Sequence, residues 1–354
     1  MRVRFFEPRR AYEAQRVELD AAFSRVLSSD RVVLGSEVEA FEHEFAGFIG
    51  TKHAVGVASG TDAIELALRA LELPPGSEVL CPNLTAAATA TAILRAGHRP
   101  VLVDVDETGL TIDPAKAAAA VSADTAAIVA VHLYGRPAPV DELSALGLPL
   151  VEDAAQAHGL RIDGRIAGSI GIAGCFSFYP TKNLGAFGDA GAVVTSDGDV
   201  AEAVRELRSY GERPPGYARR EGLNSRLDEL QAALLRVKLR RLDQDNCRRA
   251  AIAAAYDRAL GVTSPTGVHH LYVLRSERRD ELRGELAAAG VETAVHYPWT
   301  IREQPAFAGA REGSDLDVST AAARELTSLP CHPYLTDAEQ ERVLDAAVSA
   351  ATSR

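Results

Sequence analysis

The stretch "FSFYPTKNLG", Phe176–Gly185, joins an apolar run with aromatics to a glycine-containing turn and carries one of only four lysines in the 354-residue chain. The other three are Lys52, Lys116 and Lys238, so arginine supplies nearly all of the positive charge. Chemistry that needs a primary amine, such as Schiff-base formation with an aldehyde or ketone, has just these candidates, because guanidinium stays protonated. Lys52 sits ahead of an apolar run, Lys116 lies in the helical "DPAKAAAAV" and Lys238 stands beside arginines on a polar helix face; each reads as a solvated surface lysine. Lys182 follows aromatics and precedes "NLGAFGDAGAVV", whose glycines let backbone approach a ligand closely. Burial there lowers an amine's pKa and favours the nucleophilic free base.

Outward from this stretch, short apolar runs alternate with helical patterns. Upstream lie "HAVGVAS" then "DAIELALRAL", "EVLCPN" then "TAAATATAILRAG", and "RPVLVDVD", "AAIVAVHLYG" and "LPLVEDAA". That alternation predicts an α/β fold: a mostly parallel sheet covered by helices on both faces. Downstream, "ERPPGYARREGLNSR" reads as a loop, after which Leu227, Leu230, Leu234 and Val237 recur at helical spacing. The expected division is a large domain over residues 1–235, with an N-terminal arm, and a smaller C-terminal α+β domain over 236–354.

The balance of 49 acidic against 38 basic side chains, a formal charge of -11, argues against nonspecific binding of nucleic acid or anionic membrane. Hydrophobic residues make up 47% of the chain, but much of this is alanine, and no uncharged run reaches the roughly 20 residues of a spanning helix. The N-terminal "MRVRFFEPRRAYEAQ" has no signal-peptide pattern, so a cytoplasmic protein is expected. Cys81, Cys175, Cys247 and Cys331 show no paired spacing; neither disulfides nor a metal site is expected, and all four read as small buried fillers.

Two further elements give Lys182 a context. In "LPLVEDAAQAHG", Asp153 ends a short buried strand, where open α/β sheets place ligand groups. Such an acid caps helices as often as it reacts. Against a pyridine nitrogen, however, it would keep the ring protonated and make it an electron sink, with Gln156 placed to reach a ring oxygen. In "VASGTDAIELAL" a strand turns through Ser59 and Gly60 into a helix whose first residues, Thr61 and Asp62, present backbone N–H groups; this is either an ordinary capped helix or an anion site, to which Ser177 could add a hydroxyl.

Together "ASGTDAIELAL", "VEDAAQAHG", "FSFYPTKNLGAFGDAGAVVT" and "GLNSRLDELQAALL" resemble, in matching order over almost the whole chain, the sugar aminotransferases of the DegT/DnrJ/EryC1/StrS family. The resemblance implies the type I aminotransferase fold and a homodimer with shared active sites. It implies pyridoxal 5'-phosphate bound through Lys182, with pyridoxamine 5'-phosphate as the intermediate form. Asp153 is then assigned to the pyridine nitrogen, Gln156 to the ring oxygen, and Gly60, Thr61, Asp62 and Ser177 to the phosphate end, with Asn224 reaching it from the other subunit. The implied reaction moves an amino group from glutamate to a keto sugar of the dTDP-3-keto-deoxysugar type. Tyr179, Arg226, His296 and Tyr297 are the candidate substrate residues, and Arg205, Arg208, Arg213, Arg219 and Arg220 could add positive charge near them. The alternatives are a keto-cyclitol aminotransferase, a related sugar dehydratase using the pyridoxamine form, and a noncatalytic ligand-sensing relative. Three positions depart from the family pattern. Thr300 and Arg302 replace a proline and a histidine, and Ala86 stands where relatives place an aromatic against the cofactor ring.

Overall fold

The computed structural model describes residues 2–352. Among them, the apolar runs form β1 (His53–Val57), β2 (Glu78–Pro82), β3 (Arg99–Val103), β4 (Thr125–Val131) and β5 (Leu150–Asp153). A small hairpin of β6 (Arg161–Ile162) and β7 (Arg165–Ile166) precedes β8 (Ala173–Ser177) and β9 (Gly191–Thr195). Later in the chain come β10 (Tyr272–Arg275), β11 (Arg311–Glu312) and β12 (Leu326–Leu329). Eight strands make one sheet in the order β1-β9-β8-β5-β4-β2-β3-β11. The strands from β8 to β11 in that order run parallel, while β9 pairs antiparallel with both β8 and β1. This is the expected α/β fold with a mostly parallel sheet, the antiparallel pairing confined to one edge.

Strand residues alternate between two covered faces, which is why the runs read as continuously apolar. Ala127, Val129, Val151 and Ala173 pack on one side against Ile64, Ala67 and Leu68 of the helix Gly60–Ala70. Ile128, Ala130 and Leu150 face the other way, against Ala117 and Ala120 of the helix Pro114–Ala120. Near the antiparallel edge, Phe176, Ala192 and Val194 pack on Phe41 and Phe45 of the helix Ser36–Ile49 and on Leu235 and Leu239 of the helix Glu229–Leu239. The helix that straddles positions 235 and 236 is thus packed into the large body.

A separate apolar cluster joins Tyr272 and Leu329 of the antiparallel β10–β12 pair to Ile252 and Tyr256 of the helix Leu242–Leu260, and to Leu286 and Val343. Val3, from the N-terminal arm, is buried in this cluster and bridges to Val291. Among the described residues no helix is long and apolar enough to cross a membrane, and no cluster of His, Cys, Asp and Glu could hold a metal ion. Cys81, Cys175 and Cys331 are buried free thiols, but Cys247 is exposed, because its position in the Leu242–Leu260 helix faces outward.

Candidate active site

Lys182 lies in the connection between β8 and β9, half-buried. The connection closes on itself: Phe178 N–H donates to Ala190 O at 2.8 Å, Ala186 N–H to Phe178 O at 2.7 Å and Lys182 N–H to Tyr179 O at 2.8 Å. Gly185 is required there because a Cβ would come within 2.4 Å of Pro180 O. The helix Glu229–Leu239 grips the loop from outside. Gln231 accepts from Phe187 N–H at 2.9 Å and donates to Phe187 O at 3.2 Å, and Lys238 Nζ donates to Gly185 O while lying over the Phe187 ring. Desolvation draws the Lys182 amine down to about 8, against the opposing pull of Asp153.

Two other lysines correct the surface reading. Burial likewise pulls Lys238 down to about 8. Lys116 bonds Asp315 at 2.6 Å and Asp104 at 3.0 Å, which raises its pKa. Their local sequence showed only helical phase, whereas their partners come from distant segments.

Asp153 ends β5 between Val131 of β4 and Cys175 of β8. Its carboxylate accepts from Thr89 Oγ1 at 3.0 Å and from Ala155 N–H at 3.2 Å, and Thr89 Oγ1 lies 3.0 Å from Thr85 Oγ1. Among the described residues it has no ion-pair partner, and burial raises its pKa despite Thr89, Ala155 and Lys182. The neighbouring Glu152 points to the opposite face. There it meets His132 Nε2 at 3.0 Å and accepts from Gly168, Ile170 and Gly171 N–H groups. Gln156 is held at both ends of its amide: Oε1 accepts from Tyr134 N–H at 2.6 Å and Nε2 donates to Tyr297 Oη at 3.1 Å. Thr89 and Tyr134 had no motif to mark them, since what they do depends on where two separate segments end.

At the third corner, Ser59 caps the helix Gly60–Ala70, its Oγ accepting from Asp62 N–H at 3.1 Å. Ser59 O takes the Ala63 N–H, so the Gly60 and Thr61 N–H groups remain at the open helix end. Ser177 closes directly on Gly60, where a Cβ would meet Ser177 Cβ at 2.5 Å. The Asp62 carboxylate turns away from this corner. It accepts from Ser225 Oγ at 2.8 Å and pairs with Arg95 at 3.3 Å. The adjacent Asn224 is exposed and its backbone bridges to Ser209.

The remaining candidates differ in burial and in partners. His296 stacks on Phe5, its Nδ1 is 3.0 Å from Ser328 Oγ, and burial pulls its pKa down to about 4. Tyr297 is raised to about 12, first by burial and then by Asp153. Tyr179 is 52% exposed, and Arg226 lies over the Tyr210 ring. Most of the arginine stretch is already committed within the protomer. Arg208 is buried against Glu42 and Gly56 O, Arg205 and Arg213 pair with Glu202, and Arg220 pairs with Glu72 and Glu206. Of the departures, Ala86 is half-buried at the start of the helix Ala87–Arg95, and Leu84 is committed to a cluster with Val105 and Tyr134. Thr300 caps onto Glu303, and Arg302 pairs with Glu312.

The site therefore combines an amine with a depressed pKa, a buried carboxylate without an ion pair among the described residues and an open helix N-terminus, all at the C-terminal ends of strands β1, β5 and β8. Residues 13–348 match the model of the DegT/DnrJ/EryC1/StrS aminotransferase family. A dTDP-3-amino-3,4,6-trideoxy-alpha-D-glucose transaminase of Streptomyces venezuelae is 48% identical, with 98% of this chain and 95% of the relative covered. The crystal structure of S. venezuelae DesV in complex with a ketimine intermediate superposes with a TM-score of 0.96 at 47% identity, covering 100% of this chain and 99% of that one. NtdA of Bacillus subtilis, solved with bound PMP, gives 0.91 at 28% identity over 99% of this chain and 86% of that one. The chain belongs to the DegT/DnrJ/EryC1/StrS aminotransferase family and is a sugar aminotransferase dependent on pyridoxal 5'-phosphate.

Proposed function

We propose that the enzyme transfers the amino group of glutamate to a nucleotide-linked 3-keto deoxysugar, working in the cytoplasm as a homodimer whose sites each draw on both subunits. The observation that carries the site assignment is the Lys182 amine, drawn to about 8 beside a buried, unpaired Asp153. Gly60, with no room for a Cβ against Ser177, fits a phosphate group lying on the helix end. The carboxylate of Asp153, without an ion-pair contact among the described residues, fits a ring N–H. Pyridoxal 5'-phosphate supplies, when bound, an electron sink for the carbon that loses its proton.

The protein's part follows from the same residues. Gly60 and Thr61 N–H groups and the Ser177 hydroxyl would hold the phosphate end, and Asn224 of the second subunit would reach the same end. Thr89 and Ala155 hold Asp153 in place, and Gln156 would reach the ring oxygen from an orientation set by Tyr134 and Tyr297. Lys182 would hold the cofactor, and its Nζ would serve as the general base that takes the donor carbon's proton and as the general acid that returns it. A pKa near 8 suits both duties close to neutral pH. Tyr179, Arg226, His296 and Tyr297 would contact the sugar.

The nucleotide-linked acceptor is supported by the relatives' named products, two of which are dTDP-3-amino-3,4,6-trideoxy-alpha-D-glucose. The test is an amination screen with glutamate over keto sugars bearing dTDP, bearing UDP or lacking a nucleotide, together with keto cyclitols, read by product mass. Amination of a dTDP-linked 3-keto sugar is expected. Efficient amination of a free keto sugar or keto cyclitol, with the nucleotide-linked compounds inert, would overturn the acceptor assignment.

A further inference from the structure

A cavity of about 50 Å³ borders the Lys182 loop, with Thr181, Arg249, His270, His296 and His332 in its wall. Thr181 directly precedes Lys182, and Asn183, which directly follows, lies 3.1 Å from His270 Nδ1 through its Oδ1. His296 adjoins Tyr297, which bonds Gln156. The cavity therefore borders the segment that carries Lys182, whose charge acts on His270 and His296, and its Leu329 and Cys331 belong to the smaller apolar cluster.

Arg249, in the helix Leu242–Leu260, is only 6% exposed. Its Nη1 donates to Cys331 O at 2.5 Å, to His270 O at 3.3 Å and to His269 O at 3.5 Å, while its Nε has no partner among the described residues. Among the described residues no carboxylate pairs with it. Asp245, one turn earlier on the same helix, is engaged by Tyr334 at 3.2 Å and Arg241 at 3.8 Å. Carbonyl oxygens orient a guanidinium without cancelling its charge, and a buried charge without a counter-ion is costly. Burial accordingly lowers the pKa of Arg249. His332, equally buried in the same wall, has no close hydrogen-bond partner at either ring nitrogen among the described residues, only a weaker approach to the Arg4 backbone. Desolvation, aided by the charge of Arg249, pulls its pKa down to about 4, so the neutral ring has an N–H to donate.

A cationic group, a neutral donor and room for one small planar anion describe a carboxylate site. A diphosphate or a sugar ring is several times too large for it. We propose that this cavity holds a carboxylate of the amino-acid donor, bound by Arg249 with His332, so that the donor's amino group is presented to the Lys182 side of the site. The assignment rests on the transferase reading with an amino-acid donor.

Glutarate, an unreactive dicarboxylate, serves as probe for the holoenzyme in isothermal titration calorimetry. Wild type is expected to bind it, and Arg249→Gln to weaken binding about 10- to 100-fold, the worth of a charge-assisted hydrogen bond. Arg249→Lys should fall between, keeping charge but losing the fork. In the donor half-reaction, followed by the cofactor's visible band, half-saturating glutamate should rise by the same factor in Arg249→Gln. The saturating rate should change less than about threefold, and a primary amine without a carboxylate should show no such rise. Glutarate affinity within threefold of wild type, no binding by wild type, or an equal rise for the carboxylate-free amine would each overturn the subsite. If Arg249→Gln does not fold, His332→Phe, which keeps the volume, should weaken glutarate about threefold to tenfold, the range of a neutral hydrogen bond; unaltered binding overturns the proposal. A wild type that binds glutarate and takes the amine of glutamate yet aminates no keto sugar overturns the acceptor reading and leaves the subsite standing. Sugar amination with Arg249→Gln unimpaired removes the subsite alone.

Discussion

The chemistry of Lys182 is set by what surrounds one nitrogen. Removal from water disfavours the ammonium form, Asp153 favours it, and desolvation wins, leaving the amine near 8. For a base, a lowered pKa enlarges the free-amine fraction at pH values between the lowered and the ordinary value, here from about 8 to 10.5. Capture of pyridoxal 5'-phosphate by the apoprotein should therefore speed up about tenfold per unit as pH rises toward 8, and level off above it. Borohydride reduction and peptide mapping should find the label on Lys182. A rate that keeps climbing to pH 10 would mean an amine in ordinary surroundings, and a label on Lys238, the other desolvated lysine, would reassign the site.

At the scale of elements, the helix Glu229–Leu239 links two parts of the site's support. Gln231 and Lys238 hold the Lys182 loop from one stretch of it. Glu229, at its first position and 2% exposed, holds the start of the helix Ser36–Ile49. Its carboxylate accepts from Gly35 N–H at 2.7 Å, Val38 N–H at 2.9 Å and Glu37 N–H at 3.0 Å, so a buried helix N-terminus is satisfied by a side chain nearly 200 residues away. Glu229→Ala would strand those donors. We expect a loss of about 2–4 kcal/mol and, in this large domain, a Tm lowered by about 4–10 °C. Glu229→Gln, which retains an acceptor, should lose less than half as much. Thermal unfolding of the apoprotein measures both, and a Tm change below 1 °C in the alanine variant would show that water or another group takes over the cap.

On the scale of the whole molecule, the protomer leaves large apolar side chains outside. Val17 is 80% exposed and Leu27 65% on one helix, and Trp299, the only tryptophan, is 63% exposed near the site. The segment between Ser209 and Asn224 folds back on itself, bridging Glu212 to Ala218, and presents Asn224 outward. These features support the homodimer we propose, in which this segment reaches the neighbouring site. Lys182→Ala and Asn224→Arg homodimers should each be inactive or nearly so. Mixed under conditions of proven subunit exchange, they should recover up to about a quarter of wild-type activity, because half of the dimers are mixed and one site in each is intact. No recovery would refute shared sites.

What the sequence determined by itself was the fold class, the sheet's parallel character and the candidates proposed for the site, Lys182, Asp153, Gln156 and the Gly60 turn. These are local signals: apolar runs of strand length, a strand end, and a lysine set among aromatics and glycines. The tertiary structure alone decided which charges are balanced. Lys238 looked solvated by its neighbours in the chain, yet it is buried against a loop some fifty residues upstream. Arg208 and Arg220 looked available for substrate but pair with Glu42 and Glu72 from distant segments. Arg249 drew no notice in the sequence, whereas in the fold it is a buried cation with no carboxylate paired to it among the described residues. The physical reason is that helical phase and strand alternation act over a few residues along the chain. Burial and charge pairing act over a few ångströms in space, and only the completed fold fixes which side chains share that space.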